Sequence, residues 1–148
     1  MNQMENATAM LSEAIGQNKI MALATRNGEG VAVRTVNVYT YEDCFYFVTE
    51  WNSNKYGQLT INDNVALSFD AIQISGHAVG LEHPCDETNK EIVNHIESHL
   101  PEQFNRYKSE SDKRLIKVIP ASASFIMLDT GAGYVIDYDK KEAIQIHR

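Results

Sequence analysis

The stretch that decides the fold runs from Cys44 to Asn62 and reads CFYFVTEWNSNKYGQLTIN. Its apolar and aromatic beginning, CFYFV, predicts a β-strand. Its end, KYGQLTIN, predicts a short helix that starts at Lys55. The hydroxyl groups of Thr49 and Ser53 lie between the two, just before the ammonium group of Lys55. Because helix N-terminal amides carry partial positive charge, this set of donors predicts a place for a phosphate group.

The same residues also fit a simpler interpretation. Serine and asparagine are common helix caps, so Ser53 and Asn54 can open a helix without binding any ligand. Lys55 would then be an ordinary solvated lysine. Both interpretations stay open at this point, and the neighbouring segments are needed to separate them.

Length and charge limit the classes of protein to which this chain can belong. Its 148 residues predict one domain spanning 1–148 with a single core. The net charge of −7 argues against nucleic acid as the main partner, because proteins that bind nucleic acid need a basic face. A small anionic ligand held by a few local donors is compatible with this charge.

Targeting signals and reactive cysteine pairs are missing from the sequence. No apolar run approaches the length of a membrane span, and the N-terminus lacks the basic start and apolar stretch of a secretory signal. Cys44 and Cys85 lie far apart and form no metal-type pair, so we expect reduced thiols. These features predict a cytoplasmic protein with no membrane partner.

The spacing of apolar residues predicts the remaining elements. Amphipathic helices are predicted at Met4–Ile15 and Thr88–Leu100, and Glu102–Lys113 reads as a short helix and an exposed polar loop. Strands are predicted at Ile20–Arg26, Val31–Tyr39, Cys44–Thr49, Val65–Ile72, Ile74–Leu81 and Tyr134–Tyr138, and on both sides of Pro120 at Leu115–Ile119 and Ala121–Leu128. Gly76 and Gly80 predict a bulge or a close backbone contact. Short strands joined in antiparallel hairpins, with helices set between them, favour a barrel or a sandwich.

Arg34 is the second clue to function. In the predicted strand its side chain shares a face with Ala32, Val36 and Val38. An arginine on an apolar face is unexpected unless it is paired or lies at the rim of the core. The alternative is a surface arginine on a half-exposed strand.

In order along the chain, these features form one pattern. A small-residue strand and a hairpin lead to Arg34-Thr35-Val36, then to an aromatic strand, Thr49 and Ser53-Asn54-Lys55. This pattern resembles the FMN-binding split-barrel superfamily, whose best-known member is pyridoxamine 5′-phosphate oxidase. The similarity covers roughly Ile20 to Leu81. Gly-rich nucleotide loops are missing, so a nucleotide would be held by this other architecture.

The resemblance implies a mostly β protein, a six-stranded antiparallel split β-barrel with flanking helices. It also implies a homodimer with FMN at the subunit interface. Ser53, Asn54 and Lys55 would bind the FMN phosphate, and Thr49 would lie beside the isoalloxazine ring or the ribityl chain. The strand residues that would line the FMN site are Arg34, Thr35, Val36 and Asn37.

The chain departs from the oxidase at several positions. Asn54 stands where the family often has arginine, which removes one charge and a two-pronged donor from the phosphate site. Ala71 stands where a glutamine is common. Trp51 is the only tryptophan, so the C-terminal tryptophan of the oxidase is missing, and Trp51 itself either covers the flavin ring or fills the barrel rim. The resemblance is closer to the short branch of general stress and nitroimidazole-resistance-like proteins.

The histidines offer a second type of site. His77 and His83 could approach a flavin edge or bind a haem iron. His95 and His99 stand four apart on a predicted helix, but the glutamate of the zincin motif is displaced, so we expect a structural or surface role and no metal site. Cys85 would be reactive only if it is exposed.

The expected function is that of an FMN-dependent oxidoreductase. Electrons or hydride would pass through FMN to or from an unknown small substrate or electron donor, with the chemistry carried by the flavin. No catalytic side chain is assigned for that reason. The alternative is a non-catalytic flavin- or haem-binding or sensor protein on the same fold, and a domain without any cofactor is the third reading.

Overall fold

The computed structural model describes residues 1–102 and 104–148 of the chain. Its strands are β1 (Asn18–Asn27), β2 (Gly30–Tyr41), β3 (Cys44–Glu50), β4 (Asn64–Phe69), β5 (Ile72–Gly80), β6 (Lys113–Ile126), β7 (Ala132–Asp137) and β8 (Glu142–His147). Its α-helices are α1 (Gln3–Ile15), α2 (Asn54–Ile61), α3 (Lys90–His99) and α4 (Asn105–Lys108), and a 3-10 turn spans Glu87–Asn89. None of the helices in the described part of the chain is long and apolar enough to cross a lipid bilayer.

Six of the strands close into an antiparallel barrel. The strand order is β3-β2-β1-β4-β5-β6, and β6 also pairs with β3, which joins the two edges. The second half of β6 continues beyond the barrel and pairs with the hairpin formed by β7 and β8. This architecture confirms the predicted six-stranded barrel with flanking helices.

Alternation along the strands fills the barrel with apolar side chains. The inward row of β1 contains Met21 and Leu23, and that of β3 contains Phe45 and Phe47, all of them buried. Helix α1 adds Ala7, Leu11 and Ile15 to this core. On the outside of the barrel, α3 forms a second cluster with apolar residues of β2, β3 and β6, which include Tyr39, Tyr46 and Leu115.

Strands β4, β5 and β8 differ from the sequence-based prediction. The segment predicted as one strand from Val65 to Ile72 breaks at Asp70, and Ile72 opens β5 instead. Asp70 has a φ of +50°, a turn conformation that an aspartate tolerates. The strand β8 was not predicted; it lies at the edge of the sheet, and its residues are exposed or half-buried. Gln103, part of the loop predicted at Glu102–Lys113, lies outside the described residues.

Strand β6 runs unbroken through Pro120, which was predicted to separate two strands. Pairing with β3 ends at Val118, and pairing with β7 begins at Ser122. Pro120 therefore lies in an interval with no strand on that side, where a missing N–H breaks no ladder. On the other side, the register shifts between Ser75 and Gly76, which confirms the bulge predicted at this glycine.

Gly76 should not tolerate a side chain. A Cβ atom there would lie 2.3 Å from the carbonyl oxygen of Ile119 and 3.0 Å from Cα of Pro120, both backbone atoms. We expect Gly76→Ala to lower the unfolding free energy by about 1–3 kcal/mol in urea titrations. Gly57→Ala is the control: it meets no atom within 4 Å and should raise stability by roughly 0.5–1 kcal/mol in a helix. Equal stability of the Gly76→Ala protein and the native protein would contradict this close contact.

Candidate functional site

The site lies where β3 ends and α2 begins. The side chain of Ser53 caps α2 by accepting a hydrogen bond of 3.2 Å from the backbone N–H of Tyr56. The buried side chain of Leu59 fixes the helix against the barrel core. The helix N-terminus, with its unsatisfied amides, is therefore held at the barrel end where β3 stops.

Lys55 points back toward the end of β3. Its Nζ donates to Oγ1 of Thr49 at 3.0 Å, and that hydroxyl lies 3.1 Å from Oγ of Ser53. Thr49 is only 2% exposed, so this hydrogen bond forms below the surface. Burial lowers the pKa of Lys55; the charge of Glu50 opposes this shift, while Arg34 and Lys113 reinforce it. Among the described residues, no carboxylate lies within ion-pair distance of this ammonium group.

Arg34 reaches the same end of the barrel from β2. Its Nη1 donates to Oγ1 of Thr25 at 2.5 Å and its Nη2 to Oε1 of Gln58 at 2.9 Å. Thr25 also donates to Oε1 of Gln58, so the guanidinium is bound by two neutral side chains that are hydrogen-bonded to each other. Burial lowers the pKa of Arg34. No carboxylate in the described ranges forms an ion pair with it either.

Arg34, Thr49, Ser53 and Lys55 form what we name the cationic cluster. Two positive charges lie close enough to repel, since the charge of Arg34 lowers the pKa of Lys55. Both are partly buried, which disfavours their charged forms, and the neutral oxygens that accept their hydrogen bonds supply no counter-charge. An anion between them would remove both penalties, so the cluster is suited to binding a phosphate or a similar group.

A paired set of charges borders the cationic cluster. The carboxylate of Glu50 accepts a hydrogen bond of 2.6 Å from Nζ of Lys113, and Glu110 lies 3.0 Å from the same ammonium group. The hydrogen bond with Lys113 lowers the pKa of Glu50, and the bond with Glu50 raises that of Lys113. Lys113 was predicted in an exposed loop, but it is the first residue of β6 and is 8% exposed. That part of the loop prediction is wrong, because the pairing of β6 with β3 buries it.

The other predicted site residues lie apart from these charges. Thr35 is exposed on the outer face of β2, and Asn54 is exposed at the start of α2. The side chain of Val36 packs in the barrel core. Asn37 accepts from Asn18 at 2.5 Å and donates to Oη of Tyr39 at 3.0 Å, so its amide takes part in a polar network on β2.

Sequence reasoning missed four residues that shape the site: Thr25, Gln58, Glu50 and Lys113. Thr25 carried a weak signal, since it is the polar member of an otherwise apolar inward row. Gln58 lies one turn after Lys55 on the same helix, a spacing that places side chains near one another. Glu50 and Lys113 are 63 positions apart, and nothing local links them.

Trp51 does not fill the barrel rim. Its side chain is 54% exposed, while its backbone N–H donates to the carbonyl of Asp112 at 2.9 Å. The backbone is therefore fixed beside the cationic cluster, and the indole faces solvent. Of the two interpretations made from the sequence, filling the barrel rim disagrees with this exposure, and covering a flavin ring stays a prediction.

The histidines differ in whether their ring nitrogens are available to bind a ligand. His83 uses both ring nitrogens: Nδ1 accepts from the N–H of Cys85 at 3.0 Å, so Nε2 donates to the carbonyl of Glu110 at 2.8 Å. His77 is exposed and lies 3.5 Å from Asp63. His95 packs between the rings of Tyr41 and His99 on the surface, which agrees with the expected structural role. Within the described residues, no three His, Cys, Asp or Glu side chains are arranged to hold a metal ion.

The two thiols differ in their exposure to solvent. Cys44 is half-buried, and burial raises the pKa of its thiol, as expected for a cysteine that packs as a small apolar residue. Cys85 is exposed in the loop after Pro84, with Sγ 3.8 Å from the carbonyl of Lys108. Neither thiol forms a disulfide.

Comparison with known proteins places the chain by its fold. No protein-family model matches the sequence, and no curated protein sequence matches it. General Stress Protein 26 from Bacillus anthracis str. Sterne is 20% identical, with 99% of this chain and 100% of that chain covered and a TM-score of 0.60. A pyridoxamine 5′-phosphate oxidase-related, FMN binding protein from Nostoc punctiforme PCC 73102 is 13% identical, with 95% of each chain covered and a TM-score of 0.65.

A third similar structure is the haem storage protein HutZ from Vibrio cholerae. It is 13% identical, with 77% of this chain and 89% of that chain covered, and the TM-score is 0.63. At these identities the likeness shows the fold alone. The chain has the split-barrel fold of the pyridoxamine 5′-phosphate oxidase-like structures, and the fold resemblance inferred from the sequence is thereby confirmed.

Replacing Lys55 should stabilise the ligand-free protein. Its pKa is lower in the folded state than the ordinary 10.5, so the charged form costs stability at neutral pH. We expect Lys55→Met to raise the unfolding free energy at pH 7 by roughly 0.5–1 kcal/mol, a size typical of stabilising changes at functional sites. Because the native lysine loses its charge at high pH, the advantage should shrink as pH approaches 10.5. Urea titrations at pH 7 and pH 10 measure both effects, and a destabilised Lys55→Met protein would contradict them.

Proposed function

We propose that this protein binds FMN through the phosphate at the cationic cluster and works as an FMN-dependent oxidoreductase. The observation that supports this most strongly is the pairing of two cations, Arg34 and Lys55, with neutral partners on β1, β3 and α2. A phosphate monoester carries a charge of about −1.5 to −2 at pH 7 and so matches two cations. The first amides of α2 add donors, since they have no carbonyl partner one turn earlier.

The chain's own residues would bind and orient the flavin. Lys55 and Ser53 would hold the phosphate with Asn54 at the rim, and Arg34 would neutralise charge on the phosphate or near the reduced ring. Thr35, Val36 and Asn37 of β2 and Thr49 of β3 would line the rest of the site. The flavin, when bound, supplies hydride or electron transfer to a small substrate or electron donor. The protein would work as one domain spanning 1–148 in the cytoplasm, without nucleic acid or membrane partners.

A homodimer would complete the site. The outer face of β2 exposes Val31 and Val33, which are 72% and 67% accessible, although both are β-branched apolar residues. Neighbouring exposed apolar residues of this kind mark interaction surfaces. Arg34 follows directly in β2, with its side chain on the opposite face, so a second copy seated on Val33 would pack against the strand that carries Arg34.

Haem binding without catalysis is the second candidate. It is favoured by the exposed imidazole of His77, which lines a groove of about 310 Å³ on the outside of the barrel between β1, β4 and β5. A neutral imidazole is a common axial ligand of haem iron. The visible spectrum distinguishes the two candidates, since haem gives a Soret band and FMN does not.

The phosphate assignment is tested by titrating FMN into the purified protein and the Lys55→Met variant. We expect the native protein to retain FMN on desalting and the variant to bind it about 10- to 100-fold more weakly, the range for one lost hydrogen bond to a charged group. Lys90→Met is the control, since Lys90 is an exposed lysine in a weak ion pair with Glu87 at 3.9 Å. Equal FMN affinity of the native and Lys55→Met proteins would remove the phosphate assignment.

The dimer is tested with Val33→Lys. A lysine on this apolar face should prevent a second copy from docking, and the variant should elute as a monomer that has lost most of its FMN affinity. Light scattering coupled to size exclusion gives the mass. Ile144→Lys is the control, because Ile144 is equally exposed on β8, at the other end of the sheet. A monomeric protein that binds FMN as tightly as the native form would count against the shared site.

A further inference from the structure

Glu50 is a carboxylate beside a site proposed to bind an anion. Its charge acts on Lys55, raising the pKa of that lysine, and Lys55 in turn lowers the pKa of Glu50. The two residues are five positions apart, at the end of β3 and in the first turn of α2. A carboxylate in this place could pair with Lys55 and compete with any ligand for it.

The carboxylate of Glu50 is bound by Lys113 instead. Glu50 and Lys113 are cross-strand partners in the pairing of β3 with β6, and the hydrogen bond between them is 2.6 Å long. Lys113 is nearly buried, whereas the side chain of Glu50 is 41% exposed. Lys113 therefore has little freedom to move, and Glu50 has room to rotate if its partner is removed. Glu110 adds a second acceptor at 3.0 Å, which further fixes the ammonium group.

We infer that Lys113 is a positioning residue for the cationic cluster: it holds the carboxylate of Glu50 away from Lys55 and thereby keeps Lys55 available to an anionic ligand. The inference rests on the proposed function, since it concerns the same phosphate site. Without Lys113, the next cation along the chain from Glu50 is Lys55, in the first turn of the helix that follows β3. The carboxylate would then occupy the place of the phosphate.

The test compares FMN with riboflavin, which lacks the phosphate. We expect Lys113→Met to raise the Kd for FMN about tenfold, the size of a charged hydrogen bond lost to a competitor, and to leave the Kd for riboflavin within about twofold. Adding Glu50→Gln to Lys113→Met removes the competing charge and should restore FMN affinity. Lys108→Met is the matched control, because Lys108 of α4 forms an ion pair of 2.5 Å with Glu97 of α3, and neither residue belongs to the cationic cluster.

Each outcome separates this inference from the proposed function. If the native protein binds FMN no better than riboflavin, the assignment of the phosphate site is wrong, and the inference about Lys113 is wrong as well. If the native protein prefers FMN, two results overturn only the inference: an unchanged preference in Lys113→Met, or an equal loss for both ligands that Glu50→Gln does not rescue. The second result would mean that the ion pair of Lys113 and Glu50 has only a structural role.

Two milder variants keep the test valid if Lys113→Met does not fold. Lys113→Gln retains a donor to Glu50 without the charge, and the same loss of FMN preference and the same rescue are expected, at smaller size. Glu50→Gln alone keeps a hydrogen-bonding partner for Lys113 and should bind FMN at least as tightly as the native protein. Weaker FMN binding by Glu50→Gln would show that the carboxylate assists the ligand, and would overturn the inference.

Discussion

The pairing of β6 with β3 is the constraint on which the rest of the structure depends. Without it, six strands would form an open sheet with two free edges and no enclosed core. With it, the apolar inward rows of all six strands face one another. The same pairing fixes the end of β3, from which the chain turns into α2, so that barrel closure also sets the position of the helix start.

The polar residues of the site are the continuation of the apolar rows. On β1, the apolar row of Met21 and Leu23 ends in Thr25. On β2, the row of Val38 and Val36 ends in Arg34. On β3, the row of Phe45 and Phe47 ends in Thr49. Because neighbouring strands are antiparallel, these three polar residues arrive at the same end of the barrel. Helix α2 covers that end and adds Ser53, Lys55 and Gln58, while α1 packs at the opposite end. One end of the barrel is therefore polar, and the core behind it is apolar.

The charges at this end do not stabilise the ligand-free protein. Lys113 is satisfied by two carboxylates, whereas Arg34 and Lys55 contact neutral oxygens only, among the residues that the structure describes. Partly buried cations without counter-charges disfavour folding, and proteins retain such groups where function requires them. Glu50 lies between the paired and the unpaired charges, and in our inference its pairing with Lys113 is what leaves Lys55 available to a ligand.

The sequence alone determined the local features. Alternating apolar residues predicted the strands from Ile20 to Leu81, Asn27-Gly28 predicted the first hairpin, and Ser53-Asn54-Lys55 predicted the helix start, since each depends on neighbours within a few residues. The tertiary structure alone decided which polar groups meet. Thr25 and Gln58 surround Arg34 only once α2 covers the barrel end, and Lys113 meets Glu50 across 63 residues only once β6 closes on β3. Contacts of this kind follow from strand register and barrel closure, which no local pattern records.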